Sequence, residues 1–233
     1  MFADPARCGS TSGVLWTELP VHVIDFEGSR ETGVVEFGVV SLAHGAITGV
    51  ASRVCRARRP VRADDTRVHG LTQVDLAGAE PFEAEWEFFA ACRAGGVLAA
   101  HFSGTENSLL RGTWPCARLS PDFLDPGRET SEWGPWIDTG RLATDALGRG
   151  ASAALEDVVA ALGLGDALQA AAERWCAPQR RRFHCAGYDA LATALVLLRL
   201  ARDGDAPWSL ARVLAESVAD RERRDDVRQG RLF

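Results

Sequence analysis

The sequence predicts an α/β domain, a sheet covered by helices, on three observations. Apolar, β-branched segments come first, segments with helical apolar spacing fill the second half, and strand-turn-helix steps connect the two. From Val21, VHVIDFEG reads as a buried strand that ends in acids. GVVEFGVVSL and AITGVASRVCR continue it as two further strands separated by short glycine-containing turns, which gives a three-stranded antiparallel opening. The polar run ARRPVRADD leads into VHGLT. The stretch from Pro81 to Arg93 then carries Phe82, Trp86, Phe89 and Ala90 at helical spacing and ends at Gly95-Gly96.

VLAAH (97–101) is a short apolar strand, and Glu106 to Leu110 starts a helix after Gly104, so a strand-turn-helix step sits here. Between 113 and 135, Pro115, Pro121, Pro126 and Pro135 accompany Trp114 and Trp133, which predicts a long but packed loop. WIDTGRLA (136–143) is a strand running into a helix. Leu155, Val158, Val159 and Leu162 form a further helical face, broken at Gly163 and Gly165. Helices follow from Asp166 to Cys176, after Asp189, and over SLARVLAESVADRERR beyond Pro207.

Composition narrows the function. A length of 233 residues supports one large domain, or one domain plus an appendage, with a core that needs no disulfide or metal staple. The net charge of -6 argues against coating an anionic surface through bulk positive charge, so any nucleic-acid contact is local. All 26 basic residues are arginine, which excludes Schiff-base and P-loop chemistry that needs a lysine amine. The cysteines are scattered without a C-x-x-C pair and read as free thiols. The N-terminus lacks a basic, apolar leader, and a cytoplasmic location is expected.

Asp25 and Glu27 stand at the end of the first strand, and the period of two points both side chains to one face. Two carboxylates sharing one pocket repel unless a cation neutralises them, and hard oxygen donors suit Mg²⁺ or Mn²⁺. A solvated strand end is the competing reading of this pair taken alone. Two further acids are placed in order with histidines: Glu106 five residues after His101 in AAHFSGTENSLL, and Asp189 five residues after His184 in HCAGYDALATA.

With these segments in order, the chain resembles the DEDD superfamily of 3′-to-5′ exonucleases. The likeness is to the DEDDh branch, which contains the proofreading subunit of bacterial DNA polymerase III, oligoribonuclease and ribonuclease T. DFEGS is similar to its first motif, AAHFSGTENSLL to its second and HCAGYDALATA to its third; VHGLT and WIDTGRLA match flanking segments. The resemblance covers residues 20 to 203 and implies a ribonuclease H-like mixed sheet of five strands flanked by helices. It departs at the second motif, where Glu106 replaces an aspartate and Phe102 an asparagine. Glu106 keeps the carboxylate and adds one methylene, so geometry and rate both stand to change.

The resemblance implies two divalent ions, Mg²⁺ or Mn²⁺. Asp25 would be shared by both, Glu27 and Asp189 would complete the nucleophile side, Glu106 would support the second ion, and His184 would act as general base. Phe26, Gly28, Ser29, His101 and Arg182 are assigned to the substrate path, with His101 and His69 packing beneath the site. Arg174, Arg180 and Arg181 join Arg182 as a candidate basic rim. The implied activity is release of 5′-mononucleotides from single-stranded DNA ends. The alternatives are an RNA or oligoribonucleotide exonuclease and a non-catalytic nucleic-acid or polymerase-binding module of the same fold.

The expected organisation is an N-terminal extension at 1–19, the exonuclease domain at 20–204, a C-terminal helix at 205–226 and a tail at 227–233. In that tail Gln229, Leu232 and Phe233 resemble a sliding-clamp docking peptide, with Leu232 and Phe233 as apolar anchors.

Overall fold

A computed structural model describes residues 13–218 except 126 and 149. The opening three strands are β1 (Val21–Ser29), β2 (Gly33–Ala43) and β3 (Ala46–Val54), paired antiparallel in succession. β4 (Val97–Ala100) lies parallel to β1, and β7 (Trp136–Asp138) parallel to β4, which gives the mixed five-stranded order β3-β2-β1-β4-β7. The expected α/β sheet flanked by helices is therefore the observed one. A parallel neighbour needs a crossover, and helical segments before and after β4 supply it.

The end of the polar lead-in and the start of VHGLT form α1 (Ala63–His69), and α2 (Gln73–Leu76) follows. The helical signals of α1 are local: Asp64 and Asp65 in the first turn, and Gly70 at φ 76° closing the helix in the left-handed region. The helix expected from Pro81 to Arg93 starts later, because Phe82–Glu85 form a 3-10 turn and α3 runs Trp86–Gly95. α4 (Gly104–Thr113) follows β4. The proline-rich loop is packed as expected: β5 (Ser120–Pro121) and β6 (Glu129–Thr130) form a small ribbon, and the fully buried Trp133 indole donates to the Trp114 carbonyl at 2.9 Å.

After β7 come α5 (Thr139–Leu147), α6 (Leu155–Ala161), α7 (Gly165–Trp175) and α8 (Ala186–Leu200). The ribbon of β8 (Arg202–Asp203) and β9 (Ala206–Pro207) and then α9 (Leu210–Glu216) complete the described chain. No helix among the described residues is long and apolar enough to cross a membrane.

The period of two along β1 sorts its side chains between two cores. Val21 and Val23 face one core with α8, Trp16 and the α9 residues Leu210, Val213 and Leu214. Ile24 and Phe26 face the other, where the Phe26 ring meets Phe82 at 5.3 Å and Phe89 at 5.6 Å. The Phe82 contact is edge-to-face, a geometry that adds roughly 0.5–1.5 kcal/mol beyond area burial. The same alternation sends Asp25 and Glu27 to the α8 face, where the strand runs out of core.

Candidate active site

Two glycines shape the ground around the first two acids. Gly28 follows Glu27 at a break in the β1–β2 register, at φ 133°, and a Cβ there would stand 2.2 Å from the Gly33 carbonyl oxygen. Only glycine accommodates that bulge. Gly38 pairs with Asp25 across the ladder, and a Cβ on it would come within 2.1 Å of the Ala186 oxygen. The missing side chain lets the first turn of α8 settle directly onto the strand and brings Asp189 over Asp25.

Asp189 lies in that first turn, where the helix dipole favours a carboxylate. It reaches back to accept the His184 backbone N–H at 2.9 Å. His184 itself has φ 61° and an exposed side chain, so the backbone turns outward while its amide stays tethered. One donor atom from each of Glu27, His184 and Asp189 lies within 4.8 Å of the others.

The fourth acid comes from the neighbouring strand-helix step. Glu106 is on α4, only 5% exposed, and its Oε2 is buried without a hydrogen-bond partner, as is Oδ1 of Asp189. The turn that launches α4 is tied to β7 by Asp138. Its carboxylate accepts from the backbone N–H of Phe102 (3.2 Å), Ser103 (3.0 Å) and Arg141 (3.1 Å), and from the Ser103 hydroxyl (3.0 Å). Asp138 is thus the N-cap of α5 and the clasp between the ends of β4 and β7. The sequence reading did not single it out, although Asp followed by Thr-Gly-Arg at a strand-to-helix step is an N-cap signal.

Burial and mutual repulsion dominate the electrostatics. Asp25 is held well above the usual carboxylate range, first by burial and then by the charges of Asp189, Glu106, Glu27 and Glu36. Burial, then Asp189 and Glu36, raises Glu27 to about 8, against the opposing pull of Arg180 and Arg182. Glu106 also rises to about 8 through burial, with Asp138 and Glu27 adding to it. Asp189 rises to about 7 from burial, which outweighs the His184 hydrogen bond. Each acid is therefore costly to ionise unless positive charge arrives. Hard oxygen donors, two of them orphaned in the interior, together with an adjacent imidazole fit a divalent cation of the magnesium or manganese kind.

The expected substrate positions differ in their surroundings. The Phe26 ring points into the aromatic core because it has the opposite parity on β1 from the two acids. His101 commits both ring nitrogens within the protein, Nδ1 to Thr139 Oγ1 at 3.0 Å and Nε2 to the Ala153 carbonyl at 2.8 Å. Ser29 is engaged with Thr32 at 2.9 Å.

Of the expected basic rim, Arg182 is exposed and donates to the His69 carbonyl at 3.2 Å. Arg180 is instead turned inward to Glu36, which is 3% exposed and also accepts the Ala186 N–H at 2.9 Å. Arg181 donates to the carbonyls of Cys176 and Glu173, and Arg174 lies over the Trp175 ring at 4.8 Å. The reason is Glu36: a buried carboxylate needs a paired cation, and Arg180 is the partner that also carries the chain into the His184 turn. The tail residues Gln229, Leu232 and Phe233 lie outside the described residues.

No protein-family model matches the chain, and no curated protein matches it. Solved structures do. Exonuclease X in complex with 5′-overhanging duplex DNA is 20% identical with a TM-score of 0.57, over 83% of this chain and 99% of that one. The nuclease domain of 3′hExo, a DEDDh family member bound to rAMP, is 18% identical with a TM-score of 0.54, over 77% of this chain and 90% of that one. The zinc-bound E. coli ExoI–ssDNA complex is 12% identical with a TM-score of 0.55, over 78% of this chain and 40% of that one. The mixed sheet with its flanking helices is thus the ribonuclease H-like fold that these exonucleases share.

Proposed function

We propose that the chain is a divalent-metal-dependent 3′-to-5′ exonuclease that releases 5′-mononucleotides from single-stranded ends, with DNA preferred to RNA. The observation that carries this reading is that donor atoms of Glu27, His184 and Asp189 lie within 4.8 Å of one another, while the buried Asp25 feels the charges of Asp189, Glu106 and Glu27, and Glu106 and Asp189 each keep a buried oxygen without a partner. Asp25 would be shared by two ions, Glu27 and Asp189 would complete one site, and Glu106 would support the other. Bound there, divalent ions supply acidity to an attacking water and neutralise charge on the departing 3′ oxygen.

His184 is the group with the freedom to take a proton. Its side chain is exposed, its backbone is fixed by Asp189, and a ring nitrogen lies within 4.8 Å of donor oxygens of Glu27 and Asp189. Glu36 and Arg180 hold the preceding turn, and Asp138 holds the start of α4, so the acids and the base are positioned by separate buried contacts.

The test is incubation of the protein with Mn²⁺ and a short 3′-hydroxyl oligonucleotide, with products identified by mass. Nucleoside 5′-monophosphates are expected. Asp25→Ala should abolish them, and His184→Ala should slow release by roughly 10²- to 10⁴-fold. Failure of the parent to release mononucleotides, or release that survives Asp25→Ala, overturns the proposal and leaves the binding-module alternative. Because similar folds are seen with DNA and with rAMP, competition between matched DNA and RNA oligomers decides the sugar.

A further inference from the structure

Phe102 has no role in the proposed chemistry, yet it is placed at some cost beside it. It is one of three described non-glycine residues with positive φ, at 58°, a region that asparagine and glycine enter readily and a bulky side chain rarely. It is also the only aromatic among the exposed large hydrophobic side chains of the described residues, at 36%. Phe102 lies in the turn two residues past the end of β4 and four residues before Glu106.

The ring is fixed in place. A Cβ on Gly140 would lie 2.7 Å from it, so the ring rests directly on the glycine backbone of α5. The His101 ring meets it edge-on at 4.9 Å, and Asp138 accepts its backbone N–H at 3.2 Å. The exposed Arg141 guanidinium stands 5.8 Å from the ring centroid and has no hydrogen bond or ion pair among the described residues.

We infer that Phe102 is a stacking platform for a nucleobase of the single strand, with Arg141 as the cation for an adjoining phosphate. This rests on the nuclease reading and extends it to a specific subsite. A rigid, solvent-facing ring beside an unpaired arginine is the pairing that single-stranded nucleic acids bind, because every base has a face to stack and every linkage carries a charge. The left-handed backbone aims the ring outward. A residue chosen for the turn alone would be asparagine, so the ring is retained for its surface.

The experiment measures affinity of the full chain, with Mn²⁺ present, for a short single strand carrying phosphorothioate linkages at its 3′ end. Phe102→Asn, which suits the backbone and removes the ring, should weaken binding about 5- to 100-fold, the range expected for loss of one stacked base. Phe102→Tyr should bind within about threefold of the parent, since it keeps a comparable stacking face. The Asn variant should melt at or above the parent's temperature. An abasic site in the oligonucleotide should reproduce the loss in the parent and add little in Phe102→Asn, for DNA and RNA alike.

Equal affinity of Phe102→Asn and the parent overturns the inference. So does a large drop in melting temperature, which would make the ring a structural support. If the parent releases mononucleotides while Phe102→Asn binds normally, the platform alone fails; if the parent neither binds nor degrades the strand, the nuclease reading fails with it.

Discussion

Replacing Glu106 with glutamine separates the stability of the site from its use. The folded protein raises this carboxyl from 4.5 to about 8, chiefly by burial, and its Oε2 has no partner. A folded value above the unfolded one means that the stability is fully present below about pH 4.5 and is lost as pH rises through about 8. At about 1.4 kcal/mol per pH unit in that window, the loss is about 1 kcal/mol at pH 5 and about 4 kcal/mol at pH 8.

Glu106→Gln keeps the shape and removes the charge. In a chelator the variant should therefore melt above the parent at pH 8, by roughly 8–16 °C at 2–4 °C per kcal/mol, and within a few degrees of it at pH 5. Manganese should reverse the order at pH 8, raising the parent and doing much less for the variant, because a cation bound only by the folded state stabilises it by mass action. Mononucleotide release should fall in parallel. Thermal denaturation at the two pH values, with and without the metal, reads all four corners. A chelated variant no more stable than the parent at pH 8, or an equal metal response in both, refutes the reasoning.

Two further substitutions test the scaffold. Arg180→Met leaves the buried Glu36 carboxylate uncompensated and should cost about 3–5 kcal/mol in urea unfolding; adding Glu36→Gln should recover most of that, and a double variant as unstable as the single one contradicts the pairing argument. Gly38→Ala puts a methyl group 2.1 Å from the Ala186 oxygen, so it should destabilise by about 1–3 kcal/mol, and by lifting α8 it should slow mononucleotide release about tenfold or more. A neutral Gly38→Ala in both assays would mean that α8 is not seated by that contact.

Much of this was legible in sequence because the relevant signals are local. The period of two along VHVIDFEG places Asp25 and Glu27 on one face whatever lies above, and the strand comes out with that parity. The same parity placed Phe26 on the opposite face, so a substrate role for its ring conflicted with the reading of the acids beside it. The helix over 63–69 went unread because its face is mostly exposed and its signals are caps rather than apolar spacing.

What the sequence determined by itself was the strand and helix order, the side of β1 that carries acids, and the left-over carboxylates with no lysine to serve them. Tertiary structure alone decided which arginine stays outside and which is drawn inward to Glu36, that Asp138 clasps two strand ends, and that Phe102 faces solvent on a glycine bed. The physical reason is range. Periodicity and capping act within a few residues, whereas burial of a charge and close approach of two backbones depend on partners distant in the chain. Glu36 and Arg180 are 144 residues apart, and nothing near either one in sequence names the other.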